Sequence, residues 1–318
     1  QAEDGIRDSV ASRGLGDVYK RQLLDHLKPS NIGRLKGPME RITTTVDRLQ
    51  SRFETMTPAP RISNRLKSLV SEGNINPDEI IALIRLEPLL ATRIIREANQ
   101  LSEVRTGGYT SIEQAATAVG FERMYDLLGI YAYQHYDDAI HTASYSVDAW
   151  KRAVTCAVCM ESLAAKHNLD PQEAYSIGLL HSLVSAISEA HDEELERQFS
   201  DPFGRLNERL KSFGSSGLSY TLFRLWGFHD TFTDPVRFQL SPLDCTTTGK
   251  MACLLNLSKW INGVIRETNE LPDQDQGPDL LVLNLLSEGE QTLWNLVTDV
   301  SDCLQRADAT LQGNYNLV

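Results

Sequence analysis

The sequence predicts an all-α protein, and three observations carry that prediction. From about residue 60 onward apolar residues recur at helical spacing. Helix starts can be named one after another, each with Asn, Ser or Asp followed by Pro at the first helical position or by Glu or Gln at the third. Alternating runs bounded by Asn-Gly or Asp-Gly, the mark of β-hairpins, are missing.

The elements follow in order. "NPDEI" supplies Asn76 as N-cap, Pro77 at the first helical position, and Asp78 and Glu79 against the positive end of the helix dipole. In "EPLLATRIIREAN" Leu90, Ile94 and Ala98 share one face, so Arg93, Arg96 and Glu97 are expected largely outside it. "TSIEQAATAVG" opens with Ser111 and Gln114 at capping-box spacing and stops at Gly120, a residue that tolerates positive φ. "DPQEAYSIGLLHSLVSAI" repeats the device with Asp170, Pro171 and Glu173, which places His181 well inside a helix. Met251, Leu254, Leu257, Ile261 and Val264 keep helical period, and Ser287 with Glu290 opens a further helix. Loops are expected over 56–61, 104–110, 200–204 and 269–279. Trp260 and Trp294 are expected as buried anchors of the last third.

With 318 residues, 41% of them hydrophobic, the chain can bury a sizeable core. Lys and Arg total 31 against 43 Asp and Glu, a formal charge of -12, so a nucleic-acid partner would meet a repulsive average field. The five cysteines, Cys156, Cys159, Cys245, Cys253 and Cys303, are odd in number and sparse, which fits a reducing cytoplasm better than a disulfide framework. Apolar runs such as "SIGLLHSLVSAI" are too short to cross a bilayer, so no membrane role is expected. "RDSVASRGLGDVYKRQ" has no useful apolar period and looks like translated adapter sequence, so residues 1–22 are expected to be no part of the fold.

Several spaced elements then occur in a telling order. Pro58 and Pro60 precede the first helix; Glu87-Pro88 and Ala98-Asn99 bracket another; Ser111-Ile112 opens the helix that stops at Gly120; Ala174-Tyr175 leads to Gly178-Leu179-Leu180-His181. Over roughly residues 55–240 this resembles the HDOD domain, an HD-related output domain of bacterial signalling proteins. The resemblance implies a multi-helix bundle over 55–240, preceded by a helical lead-in over 23–54 and followed by helices at 241–318 packed on the core. It also implies a regulatory, non-catalytic signal-transduction role, exercised through a protein partner or through small-ligand sensing in a vestigial HD cleft.

The residues at the implied metal positions support that view. A hydrolytic HD centre needs several His and Asp ligands, because its cations must hold phosphate oxygens and lower the pKa of a water. Here Arg152, a permanent cation, stands where an early ligand belongs; His181 is followed by Ser182 instead of Asp; and Phe238-Gln239 falls at the later His-His position. Arg152, His181 and Ser182 are therefore expected to line a degenerate cleft that needs no cofactor or metal and is able to hold a small anion. The alternative is a divergent metal-dependent phosphohydrolase or cyclic-dinucleotide phosphodiesterase that recruits His181, His191, Asp192, His229 and Asp230. Cys156-x-x-Cys159 lacks a second ligand pair at zinc spacing and reads as buried core.

Overall fold

Helix starts are built by side chains that take up the first free amides of each helix. In the computed structural model, which describes residues 45–58, 60–72, 76–101, 108–133, 146–191, 208–267 and 278–286 with a few isolated positions beyond, Asn76 Oδ1 accepts from Asp78 N at 3.0 Å. Ser111 Oγ accepts from Gln114 N at 3.1 Å, and Asp170 Oδ1 accepts from Gln172 N at 2.9 Å and Glu173 N at 3.2 Å. Glu173, expected to complete a capping box, instead accepts from the Thr231 hydroxyl at 2.7 Å and so ties two helices together.

The chain divides into two compact units between Glu54 and Thr55. In the first, residues 45–54 are helical and bury Val46, Leu49 and Phe53 along one stripe. The second holds α1 (Pro60–Glu72), α2 (Pro77–Arg85), α3 (Pro88–Leu101), α4 (Ile112–Val119), α5 (Phe121–Tyr133), α6 (Val147–Lys166), α7 (Pro171–Leu180), α8 (Leu183–His191), α9 (Glu208–Leu225), α10 (Asp230–Arg237), α11 (Gly249–Glu267) and α12 (Leu280–Leu286). The described residues contain no strand longer than an isolated bridge at Thr57, so the protein is all-α.

The most extensive packing joins α6 to α7, and α11 lies against α6, α7 and α10. Gly178 makes the first of these contacts possible: a Cβ there would meet Ala157 Cα at 2.7 Å and the Cys156 carbonyl oxygen at 2.8 Å. Toward the other end, α3 packs on α4 and α2 on both, and two aromatic residues clamp the α2 terminus. Trp150 Nε1 donates to Leu86 O at 2.6 Å and the Tyr175 hydroxyl donates to Arg85 O at 2.7 Å, satisfying carbonyls that the helix end leaves open. The Arg85 guanidinium lies 3.7 Å over the Tyr175 ring, forks onto Glu161 at 2.8 and 2.9 Å and pairs with Glu113, so one side chain joins α2, α4, α6 and α7.

Asn99 acts as a second clamp. Its Nδ2 donates to Tyr109 O at 3.2 Å while its Oδ1 accepts from Tyr109 N at 2.5 Å, fixing the approach to α4. Gly108 sits at φ +62°, where a Cβ would lie 3.1 Å from Asn99 Oδ1.

Four further expectations are corrected. Arg93 is 4% exposed rather than wetted, because α3 is enclosed on nearly all sides and its guanidinium donates to Met56 O at 3.1 Å. The loop expected over 56–61 ends early, since Pro60 already occupies the first position of α1. His181 is not in mid-helix but at the joint between α7 and α8, where apolar residues continue on both sides and so hide the break from a periodicity reading. Trp260 is partly exposed. Residues 1–44, 104–107, 200–204, 269–277, Ser287, Glu290 and Trp294 lie outside the described residues.

Candidate functional site

The helix breaks at His181, beside the carbonyl of Gly178. His181 Nδ1 donates to Gly178 O at 2.7 Å, so the imidazole satisfies one of the carbonyls that the end of α7 leaves open. The chain turns through His181 and Ser182 and resumes as α8, whose first turn includes Ala186 N donating to Ser182 O at 3.0 Å. Ser182 is partly buried, and its hydroxyl has no partner among the described residues.

His181 is 6% exposed, and its pKa is pushed down to about 3, first by burial and then by the nearby positive charges of Lys259 and Arg152. The ring is therefore neutral. Because a carbonyl only accepts, Nδ1 carries the single proton and Nε2 presents a lone pair.

Around this imidazole the structure gathers polar side chains from α6, the end of α10 and α11. Lys259 Nζ donates to Gln239 Oε1 at 2.7 Å; Gln239 Nε2 donates to Val236 O at 2.9 Å and, at 3.5 Å, to His181 O. Asn256 Nδ2 donates to Gln239 O at 2.9 Å and Asn262 Nδ2 to Arg152 O at 3.2 Å. Asn256, Lys259 and Asn262 stand three residues apart, so they form a polar stripe on one face of an otherwise apolar helix. Burial lowers the Lys259 pKa, while the Cys156 thiol is pushed up to about 12, also by burial.

Of the residues singled out in the sequence, His181 lies at the heart of this cluster, Arg152 is close enough to act on the ring, and Ser182 is its neighbour in the chain. Lys259, Asn256 and Asn262 were missed. The available signal was Lys259 as the sole charge between Lys250 and Arg266 in an apolar helix. Phe238 closes α10 and stands 5.2 Å from the Arg237 guanidinium, leaving Gln239 as the member of that pair that enters the cluster.

The other His-Asp pairs go elsewhere. His229 caps α10, its Nδ1 accepting from Thr231 N at 3.3 Å, and Asp230 pairs with Arg224 at 2.5 Å. His191 ends α8, and Asp192 lies outside the described residues. Among the described residues no group of three or more His, Cys, Asp or Glu side chains is placed to hold a metal ion. Cys156 and Cys159 are buried in α6 and form no disulfide.

The HDOD domain model matches residues 56–242. Among solved structures, the MmoQ response regulator from Methylococcus capsulatus str. Bath is similar at 20% identity and a TM-score of 0.59, over 77% of this chain and 98% of that one. A virulence factor, cj0248, from Campylobacter jejuni subsp. jejuni is similar at 17% identity and a TM-score of 0.54, over 80% of this chain and 96% of that one. No curated protein matches the chain. With the family match spanning more than half its length, on an all-helical fold shared with these structures, the chain belongs to the HDOD domain family.

Proposed function

We propose that this HDOD protein is a cytoplasmic bacterial signal-transduction component that regulates without hydrolysing anything, by presenting its surface to a signalling partner or by sensing a small anion in the cleft around His181. The observation that carries the reading is the chemistry of the cluster. A phosphohydrolase centre gathers carboxylates and imidazoles so that their negative charge and lone pairs can hold a cation. Here one imidazole is surrounded by an ammonium, a guanidinium and carboxamides, and the ammonium already occupies the acceptor Gln239 offers. A divalent ion brought to this place would face the Arg152 guanidinium and the Lys259 amine, and among the described residues no group of carboxylates and imidazoles placed to hold it.

Membership of the HDOD family supports a regulatory role, and among the described residues no helix is long and apolar enough to cross a membrane. The competing phosphodiesterase reading would need His229 and Asp230 as ligands, yet they already serve as a helix cap and an ion-pair partner.

Elemental analysis of protein purified without a metal-affinity step, together with hydrolysis of a generic phosphodiester in added manganese, tests the proposal. Near-zero metal and no turnover are expected. One or two metals per chain with turnover lost on chelation would overturn it.

A further inference from the structure

The cluster around His181 is unbalanced in a way that defines what it would take. On the donor side, the Lys259 ammonium has three N–H bonds, and its hydrogen-bond partner among the described residues is Gln239 Oε1 alone. On the acceptor side, His181 Nε2 has no partner among the described residues once Nδ1 is committed to Gly178. One turn along α11 from Lys259, Asn262 Oδ1 is buried and unpartnered while its Nδ2 is held by Arg152 O. The neighbouring Ser258 hydroxyl is likewise buried without a partner.

A lone cation would admit any anion. A cation set beside bare acceptors is more selective, because each acceptor repels a fully deprotonated oxygen and rewards an O–H. We propose that this centre binds an oxyanion carrying a hydroxyl of its own, of which hydrogenphosphate is the simplest, with Lys259 holding the charge and His181 Nε2 accepting the P–O–H hydrogen bond. Sulfate has the same shape and charge but no proton to give near neutral pH. The inference rests on the metal-free reading above and deepens it by naming the class of ligand.

The test is isothermal titration of the full chain with inorganic phosphate and with sulfate, matched in ionic strength near neutral pH. Phosphate is expected to bind saturably, and sulfate more weakly by roughly tenfold or more, the worth of one hydrogen bond to a buried acceptor. Lys259→Met should abolish binding of both ions, while His181→Met should remove the preference between them; circular dichroism establishes that each variant is folded. The wild-type comparison needs no variant: absence of phosphate binding to metal-free, inactive protein, or equal binding of sulfate, overturns this inference alone. Phosphate binding that requires a bound metal and vanishes on chelation overturns the reading beneath it.

Discussion

Replacing Gly178 with alanine adds one methyl group at the closest approach of α6 and α7. That carbon would sit 2.7 Å from Ala157 Cα, 2.8 Å from Cys156 O and 2.9 Å from Ala157 N. Favourable carbon contacts begin near ~3.5 Å, so the helices must separate by close to ~1 Å. All three obstacles are backbone atoms, which cannot swing aside as a side chain would. Overpacking of this kind costs about 1–3 kcal/mol and sometimes more, and rigid backbone places this case at the upper end. Against it stands the gain of about 1 kcal/mol from replacing a helical glycine with alanine. The net is a loss of about 2 kcal/mol, a fall in Tm of about 4–8 °C for a unit of this size. Gly217 in α9 is the control, since a Cβ there meets nothing within 4 Å and Gly217→Ala should be neutral or stabilising. Urea and thermal melts followed by circular dichroism measure both. A Gly178→Ala protein as stable as the wild type would refute the claim that this glycine sets the α6–α7 spacing on which the position of His181 depends.

Three further outcomes are expected. Tyr175→Phe deletes the 2.7 Å bond to Arg85 O and leaves a carbonyl unsatisfied, so urea denaturation should show a loss of about 1–2 kcal/mol; a loss below about 0.3 kcal/mol would contradict the clamp described for α2. Asn99→Asp keeps an acceptor for Tyr109 N but turns a donor into a carboxylate facing Tyr109 O, so it should destabilise by about 1–3 kcal/mol, whereas an unchanged midpoint would show that the clamp is not needed. His181 has a folded pKa of about 3, well below its ordinary value, so between those values the unfolded chain binds the proton and the folded one does not. Its contribution to stability is therefore full above about pH 6.5 and declines as pH falls toward 3, by up to about 1.4 kcal/mol per unit. Denaturation curves of wild type and His181→Met across that window should differ in slope, the variant being flatter; parallel curves would mean that the ring is protonated in the folded protein.

Local rules carried much of the fold. The caps at Asn76, Ser111 and Asp170 were legible because a side chain satisfying an amide two or three residues ahead is a short-range event that tertiary context rarely overrides. The stop at Gly120 was legible for a similar reason, its φ of +79° being one that other residues rarely adopt. Arg93 was misjudged because helical periodicity reports one preferred face, and α3 has neighbours on almost all of its faces. His181 was recognised as the residue to watch, but the break at which it sits, and its bond to Gly178 there, are not registered by apolar periodicity.

The sequence by itself determined the helical class and the helix starts at Asn76, Ser111 and Asp170, because composition and caps are written position by position. Tertiary structure alone decided what surrounds His181. Lys259 lies 78 residues beyond His181, and although it stands out as the sole charge in an apolar stretch of α11, only the docking of α11 against α6 and α7 sets it beside that imidazole. Burial and charge proximity act through space, so the tuning of His181, the anchoring of Lys259 on Gln239 and the burial of the unpartnered Asn262 Oδ1 exist only once the helices are packed.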